Sequence, residues 1–309
     1  MSGCRRPDSP VQPEQASSGG RSVATPRVCP RGQPREPRSA ARSSRIASKL
    51  ILWLLCCAVF TIFAACGERP SRTEVIVFAA ASLAEPLQQI QVEFESLYPE
   101  AKLLFHFAGS QQLRTQIELN AAVDVYVSAD ATMVDDLVDL GLINGPTSTF
   151  ARNRVQVLLA PGNPGGIQSL RDLAKPGKRI VLGVPEVPVG RASREALALL
   201  REGLDYGRRF AEGVASNIVS EEMNVRGVIA RLGLGEVDAG FAYESDSYTA
   251  SASEMTSIKL PDYAAVEVRY GAGALSEDAA GLPARFVEFL TSETAQQIFR
   301  NRGLIVDGS

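Results

Sequence analysis

The fold is decided by residues 75–97, which read VIVFAAASLAEPLQQIQVEFESL. The opening VIVF is a short apolar run typical of a buried parallel strand. Ser82 and Glu85 then have the spacing of a helix capping box. Apolar residues follow at helical spacing, at Leu83, Leu87, Ile90, Phe94 and Leu97. The stretch therefore predicts a strand followed directly by an amphipathic helix.

The same alternation continues through the rest of the chain. Strands are predicted at 101–107, 123–127, 154–160, 179–184 and 239–243, with further extended chain at 258–270. Helices are predicted from Ser110, over 130–140, over 192–200, over 224–232 and, at the end, over 283–300. Strands that alternate with helices favour an α/β fold with mainly parallel sheets and helices on both faces. At this size we expect two lobes.

The N-terminal segment has the composition of an exported protein's leader. Residues 1–45 contain seven of the 18 prolines and few large apolar residues, so we predict that 1–49 is a disordered basic extension. A start site assigned too far upstream would also explain it. The apolar run LILWLLCCAVFTIFAA at 50–65 is short for a helix that spans a bilayer.

The end of that run resembles a bacterial lipobox, because two alanines precede Cys66. We therefore predict a signal segment with its lipobox at 50–66, lipid attachment at Cys66 and a linker at 67–73. An uncleaved N-terminal anchor is the alternative. Either way the body of the protein is predicted to be exported and tethered.

The body of the chain is acidic. Residues 1–49 hold ten Lys or Arg and three Asp or Glu, so the whole-chain totals of 32 and 35 leave 22 basic and 32 acidic residues in 50–309. A net charge of −10 argues against nucleic acid as a partner, because phosphates demand a basic surface.

Several kinds of site are excluded by the scarcity of cysteine and histidine. The five cysteines all lie in the first 66 residues, at Cys4, Cys29, Cys56, Cys57 and Cys66. Residues 67–309 therefore have no disulfide, no thiolate metal site and no cysteine nucleophile. The single histidine, His106, excludes a His-rich metal site.

Two serines and a tyrosine are candidate ligand-binding residues. Ser82 and Ser110 each follow a predicted strand and begin a helix, where a serine is an ordinary N-cap. The alternative is that two helix N-termini converge on an anion at the carboxyl ends of the strands. Tyr243 ends a predicted buried strand, and its phenol either packs at the edge of the core or donates to a ligand.

Two loops have backbone N–H groups that could serve the same ligand. One is the Pro-rich loop PEVPVG at 185–190, which contains Val189, and the other precedes Val225 in NVRG at 224–227. Rigid turns that begin helices are the alternative interpretation. Arg191 and Arg226 flank these loops, and both can stay solvated.

Catalytic motifs are absent from the sequence. It contains no G-x-S-x-G, no G-x-x-x-x-G-K-[ST] and no H-E-x-x-H. His106 precedes Ser110 by four residues and could be imagined as its base, but a half-buried strand histidine is the simpler interpretation.

Taken together, these segments resemble the periplasmic molybdate-binding proteins of bacterial ABC importers. The matching blocks are VFAAASL at 77–83, FAGS at 107–110, QIE at 116–118, DVYVSAD at 124–130, PE at 185–186, PVG at 188–190, NVRG at 224–227 and YESD at 243–246. The likeness covers about residues 74–305. It implies a type II periplasmic-binding-protein fold with two crossovers between the lobes.

The resemblance also implies the ligand and its contacts. Molybdate, or tungstate, would be held by Ser82, Ser110 and Tyr243 together with backbone groups near Val189 and Val225. The metal would be bound as its oxyanion, with no side chain as a direct metal ligand and no cofactor. The partners implied are an ABC permease and ATPase, and the protein itself would be a non-enzymatic monomer on the periplasmic or cell-surface side of a membrane.

Such a site is physically reasonable, because a fully deprotonated oxyanion presents only hydrogen-bond acceptors, and hydroxyl and N–H groups can donate to it. We expect lobe 1 to comprise 74–152 and 262–309, and lobe 2 to comprise 153–261.

Two alternative functions stay open: the same fold with another cargo, such as sulfate or an organic anion, and a lipid-anchored hydrolase.

Overall fold

Strands and helices alternate along the described part of the chain, as the sequence predicts. The structure is a computed structural model that describes residues 72–276 and 281–306. The strands are β1 (Thr73–Ala80), β2 (Ala101–Ala108), β3 (Val125–Ser128), β4 (Thr147–Leu159), β5 (Ile180–Gly183), β6 (Ile218–Glu222), β7 (Ala239–Tyr243), β8 (Thr256–Lys259) and β9 (Glu267–Ala274). The α-helices are α1 (Ala84–Leu97), α2 (Ser110–Glu118), α3 (Thr132–Asp139), α4 (Pro188–Glu202), α5 (Gly207–Ser216), α6 (Val225–Gly233), α7 (Leu282–Phe289) and α8 (Glu293–Asn301). Short 3-10 helices lie at Ala81–Leu83, Leu170–Ala174, Glu244–Tyr248, Ala250–Ala252 and Asp262–Ala264.

Within the described ranges the strands form one mixed sheet in the order β2-β1-β3-β9-β4-β7-β5-β6, with β8 also paired to β4. β1 is parallel to β2 and β3, and β5 is parallel to β6 and β7. The antiparallel strands β9 and β4 lie between these two parallel groups. We call β1–β3 with β9 the first half of the sheet and β5–β7 the second half. The predicted two-lobed α/β fold is confirmed, and long antiparallel strands join its parallel groups.

β4 connects the two halves because it changes partners along its length. Its residues 147–154 pair with β9, whereas residues 155–159 pair with β7. The chain returns to the first half of the sheet after β8. β8 pairs with the second part of β4, and the next strand, β9, pairs with its first part. β4 and β9 are therefore the strands that link the halves.

Each half of the sheet has its own apolar core. Phe241 on β7 lies in the core of the second half. In the first half, Val77 packs with Phe286 and Phe299 of the C-terminal helices, while its neighbour Phe78 packs with α2 and α3 on the opposite face. Successive strand residues point to opposite faces, so helices cover both sides. Burying such side chains stabilises the fold by about 1.5–3 kcal/mol each and holds the strand ends in place.

The C-terminal segment differs from the predicted single helix over 283–300, since it contains two helices, α7 and α8. Ser292 is the N-cap of α8, because its hydroxyl oxygen accepts a hydrogen bond from the Ala295 N–H at 3.3 Å. The apolar periodicity continues across the gap. The pattern alone therefore reads as one helix.

Apart from short 3-10 helices, one α-helix and one strand of the described ranges were not predicted from the sequence, α5 and β6. Gly207 and Gly213 lower the helix propensity of the α5 segment. β6 ends in Glu221 and Glu222, a residue type depleted in strands. β6 lies at the edge of the sheet, where polar side chains stay in contact with solvent.

The predicted N-terminal extension (1–49), the signal segment (50–66) with Cys66, and residues 67–71 of the linker lie outside the described residues. No helix in the described ranges is both long and apolar enough to cross a membrane. The lobe boundaries, 74–152 with 262–309 and 153–261, stay a prediction.

Candidate functional site

The five residues predicted to contact a ligand line one small cavity: Ser82, Ser110, Val189, Val225 and Tyr243. The rest of the lining is small or apolar apart from one amide, and consists of Ala80, Ala81, Ala108, Gly109, Ala129, Val187, Pro188 and Asn224. The cavity has a volume of about 20 Å³, compared with the roughly 10–15 Å³ that one water needs. The cavity therefore suits a compact ligand of a few atoms.

Both halves of the sheet contribute to this cavity. Ser82 follows β1 and Ser110 follows β2, both in the first half, whereas Val189 and Val225 begin helices that follow β5 and β6 in the second half. Tyr243 is the last residue of β7. All five therefore lie just beyond or at the carboxyl end of a strand, where ligands of open α/β sheets bind.

Three helix N-termini meet at the cavity, those of α2, α4 and α6. Pro188 is the first residue of α4, and the Asn224 side chain caps α6 by accepting from the Gly227 N–H at 3.1 Å. The N–H groups of a first helical turn have no partner within the helix and carry partial positive charge. Val189 and Val225 lie in such turns, so their backbone can offer donors to an anion.

Ser110 is the first residue of α2 and is buried. Its hydroxyl oxygen accepts a hydrogen bond from the Ala129 N–H at 3.1 Å. This bond uses one of the oxygen's two lone pairs, and the hydroxyl's own proton can donate to an acceptor elsewhere.

Ser82 is also buried, within the 3-10 helix Ala81–Leu83. The expected capping box is not formed: α1 begins at Ala84, and no side chain caps it. Instead, the hydroxyl oxygen of Ser82 accepts from the phenol of Tyr270 at 3.3 Å. Tyr270 was not predicted, because a strand tyrosine 188 residues away carries no sequence signal of this contact.

The hydroxyl of Tyr243 has no hydrogen-bond partner among the described residues, although the residue is only 1% exposed. Burial raises the pKa of this phenol well above its usual value of 10, so the phenol keeps its proton and can donate it. Leaving such a group unpaired costs about 1–3 kcal/mol. A ligand oxygen in the cavity would recover that cost.

The two flanking arginines do not line the cavity, and no charged side chain of the described ranges does. Arg226 donates from Nε to the carbonyl oxygen of Ala81 at 3.1 Å and from Nη1 to Glu85 at 3.3 Å. Arg191 pairs with Asp130. Each arginine extends from a helix of the second half to a residue of the first half, so both connect the halves beside the cavity.

Asp246 is a buried carboxyl next to the site that the sequence analysis did not single out. Its Oδ2 accepts from the backbone N–H of Tyr243 at 2.8 Å, and its Oδ1 has no partner among the described residues. Desolvation raises the pKa of Asp246 to about 7, although the Tyr243 N–H and the charge of Arg226 act in the opposite direction. The only sequence signal was its position three residues after Tyr243, a spacing at which a carboxylate can accept from the earlier residue's N–H.

His106 lies on the edge strand β2 and is exposed, not half-buried as predicted. Its ring packs against Phe78, with 5.3 Å between the ring centroids. It does not line the cavity that contains Ser110. The arrangement gives no support to a base and nucleophile pair.

Comparisons with known proteins agree on a class of protein. The family model of bacterial extracellular solute-binding proteins matches residues 75–305. The molybdate-binding protein ModA of Mycobacterium tuberculosis is 34% identical over 238 residues, which cover 77% of this chain and 86% of the relative.

Solved structures share the fold. The periplasmic molybdate-binding protein of Azotobacter vinelandii has a TM-score of 0.63 at 22% identity and covers 75% of this chain and 99% of its own. The sulfate-binding protein SubI of Mycobacterium tuberculosis has a TM-score of 0.66 at 15% identity, with 77% and 88% covered. At these identities the likeness establishes the fold alone.

Proposed function

Because the chain belongs to the family of bacterial extracellular solute-binding proteins, we propose that its cavity holds a fully deprotonated tetrahedral oxyanion, molybdate. Proteins of this family bind solutes for transport and are not enzymes. The relative with 34% identity is named for molybdate binding, and the chemistry of the cavity supports a ligand of that kind.

The observation that carries the proposal is the buried Tyr243 hydroxyl, which lines the cavity and has no protein partner among the described residues. The hydroxyls of Ser82 and Ser110 each accept from a protein donor and keep one proton to give. The helix starts at Val189 and Val225 add N–H groups. With these protons turned toward the cavity, the site matches an anion that presents acceptors alone.

Helix dipoles supply the charge compensation that the lining side chains lack. Three helix N-termini direct partial positive charge toward the cavity, and such termini hold anions without a buried counter-ion. The acidic surface of the body is separated from the ligand by protein and by solvent, which screens distant charges. Binding a dianion is therefore compatible with the net negative charge.

The same geometry predicts which anions are rejected. Hydrogen phosphate carries a proton at neutral pH, and serine hydroxyls whose own protons point into the cavity aim no acceptor at it, so it should bind poorly. Tungstate has the charge and shape of molybdate and should bind comparably. Sulfate presents the same charge in a smaller ion, so only the fit of the cavity can discriminate against it.

We extend the proposal to delivery. The bound anion would be passed to an ABC permease and ATPase on the extracytoplasmic side of the membrane, with the protein acting as a monomer. The family is extracellular, which supports this location. The lipobox-like sequence that ends in Cys66 supports a lipid anchor.

Calorimetric titration of the wild-type protein with molybdate, tungstate, sulfate and phosphate tests the ligand. We expect tight binding of the first two, weak binding of sulfate and almost none of phosphate. Sulfate that binds as tightly as molybdate would overturn the choice of cargo. Failure of all four anions to bind would overturn the oxyanion site itself.

A further inference from the structure

We propose that Tyr270 and Asn153 are positioning residues that orient the Ser82 hydroxyl toward the ligand and thereby help to exclude protonated anions. The inference rests on the proposed function. It concerns a chain of hydrogen bonds among the buried side chains of Ser245, Asn153, Tyr270 and Ser82. None of the first three lines the cavity.

The direction of this chain is fixed at Asn153, which is fully buried on β4. Its Oδ1 accepts from the backbone N–H groups of Arg154 (3.0 Å) and Ser245 (3.3 Å). Its Nδ2 donates to the Ser245 hydroxyl (2.7 Å) and to the Tyr270 phenol oxygen (3.1 Å). With two N–H donors around the oxygen, the amide can take only this orientation.

The phenol proton of Tyr270 is consequently directed at Ser82. Tyr270 is fully buried and its oxygen accepts from Asn153, so its proton needs an acceptor, and the Ser82 hydroxyl oxygen lies 3.3 Å away. Burial raises the pKa of Tyr270, which keeps that proton in place. The Ser82 oxygen therefore accepts with one of its two lone pairs, which fixes the hydroxyl's rotation and leaves its own proton for the cavity.

Ser110 reaches the same state by a different route, since the backbone N–H of Ala129 occupies its oxygen. Ordinary side-chain substitutions leave that backbone donor in place, whereas Tyr270→Phe removes the Tyr270 hydroxyl. Without it, the Ser82 hydroxyl could rotate and turn a lone pair, instead of its proton, toward the site. It could then accept a hydrogen bond from a protonated anion such as hydrogen phosphate.

The chain of bonds also runs through the strands that link the halves of the sheet. Tyr270 on β9 lies opposite Ala151 on β4, and Asn153 is two residues further along β4. Ser245 follows Tyr243 by two residues. The chain of hydrogen bonds therefore connects Ser82 in the first half of the sheet with the segment that carries Tyr243 in the second half.

The test compares Tyr270→Phe with wild type by calorimetric titration of molybdate and phosphate at pH about 7. A lost hydrogen bond of about 1 kcal/mol predicts molybdate binding about fivefold weaker, with phosphate unchanged or tighter. The ratio of the two affinities should fall by at least that factor. Tyr126→Phe is the matched control, because its buried phenol donates to the Ser110 carbonyl oxygen and touches neither serine hydroxyl. It should change both affinities by the same factor.

A double-mutant cycle separates positioning from general structure. In a Ser82→Ala background, Tyr270→Phe should cause no further loss of molybdate binding. An equal loss in both backgrounds, or an unchanged affinity ratio in the single variant, would overturn the inference. Wild type that binds no molybdate would instead overturn the proposed function.

If Tyr270→Phe does not fold, Asn153→Ser removes the donor to Tyr270 and should lower the affinity ratio in the same direction. An unchanged ratio in this variant would overturn the inference.

Discussion

Gly109 lies directly against Met223, because a Cβ placed on Gly109 would come within 2.4 Å of the Met223 carbonyl oxygen. Gly109 follows β2 in the first half of the sheet, and Met223 follows β6 in the second. The two halves therefore meet backbone to backbone at the edge of the cavity, and this contact has no room for a side chain.

Gly109→Ala should hinder this contact. The backbone of Gly109 has φ −64° and ψ 136°, which alanine adopts without strain, so the ligand-free protein should fold. Overpacking of about 1–3 kcal/mol is expected to appear as weaker molybdate binding by that amount. Calorimetry gives the affinity, and denaturant unfolding gives the stability.

Gly233→Ala is the control for that experiment. Its added Cβ would meet only Met255 Cε at 3.7 Å, an ordinary contact, and alanine favours the helix. It should bind molybdate as wild type does. Wild-type affinity in the Gly109 variant would show that the halves do not need this contact to hold the ligand.

Ser82→Ala and Ser110→Ala should each weaken molybdate binding by about 1.5–3 kcal/mol, as for lost hydrogen bonds to a charged group. Ser128→Ala is the matched control, because the Ser128 hydroxyl is buried and accepts from the Asp130 N–H at 3.1 Å but does not line the cavity. It should lose stability and keep its affinity. Unchanged molybdate affinity in both the Ser82 and Ser110 variants would show that these serines do not contact the ligand.

Tyr243→Phe should change stability and binding in opposite directions. The variant removes a buried hydroxyl without a partner among the described residues, so the ligand-free protein should be at least as stable as wild type. Molybdate binding should weaken by about 1.5–3 kcal/mol, because a donor to a charged ligand is lost. A loss of stability with unchanged affinity would mean that the hydroxyl has a partner other than the ligand.

Titration of Asp246 should make the free energy of unfolding fall as the pH rises from about 4 to about 7. Burial raises its pKa from 3.8 to about 7, with Arg226 lowering and Glu85 raising it. Between those values the folded protein holds a proton that the unfolded chain has lost. The contribution of this group to the free energy of unfolding is therefore full below pH about 4 and is lost as the pH rises to about 7.

Asp246→Asn abolishes this titration, so the variant's stability relative to wild type should increase from pH about 4 to about 7 and stay level above that. Denaturant unfolding of both proteins across this range measures the difference, and the other titrating groups cancel. A difference that does not vary with pH would show that Asp246 is ionised throughout.

Local pattern was enough to predict much of the fold, but it left Ser82 and Ser110 as either N-caps or anion ligands. The resemblance to molybdate-binding proteins is what assigned them to a ligand, together with Tyr243, Val189 and Val225. Ser82, Ser110 and Tyr243 could be singled out because each lies at the end of a recognisable strand, and their assignment as ligand-binding residues stays a proposal. Residues that act through tertiary contacts could not be found. Tyr270 and Asn153 read as ordinary strand residues, and the contact of Gly109 with Met223 depends on how two distant segments meet.

The central claim is that an oxyanion lies between Ser82, Ser110 and Tyr243. The most direct measurement is the anomalous difference density of crystals grown with molybdate and recorded near the molybdenum absorption edge. We predict one strong peak in the cavity, with ligand oxygens about 2.5–3.0 Å from the three hydroxyl oxygens. A molybdenum peak elsewhere, or an empty cavity in crystals of protein that binds molybdate in solution, would contradict the account.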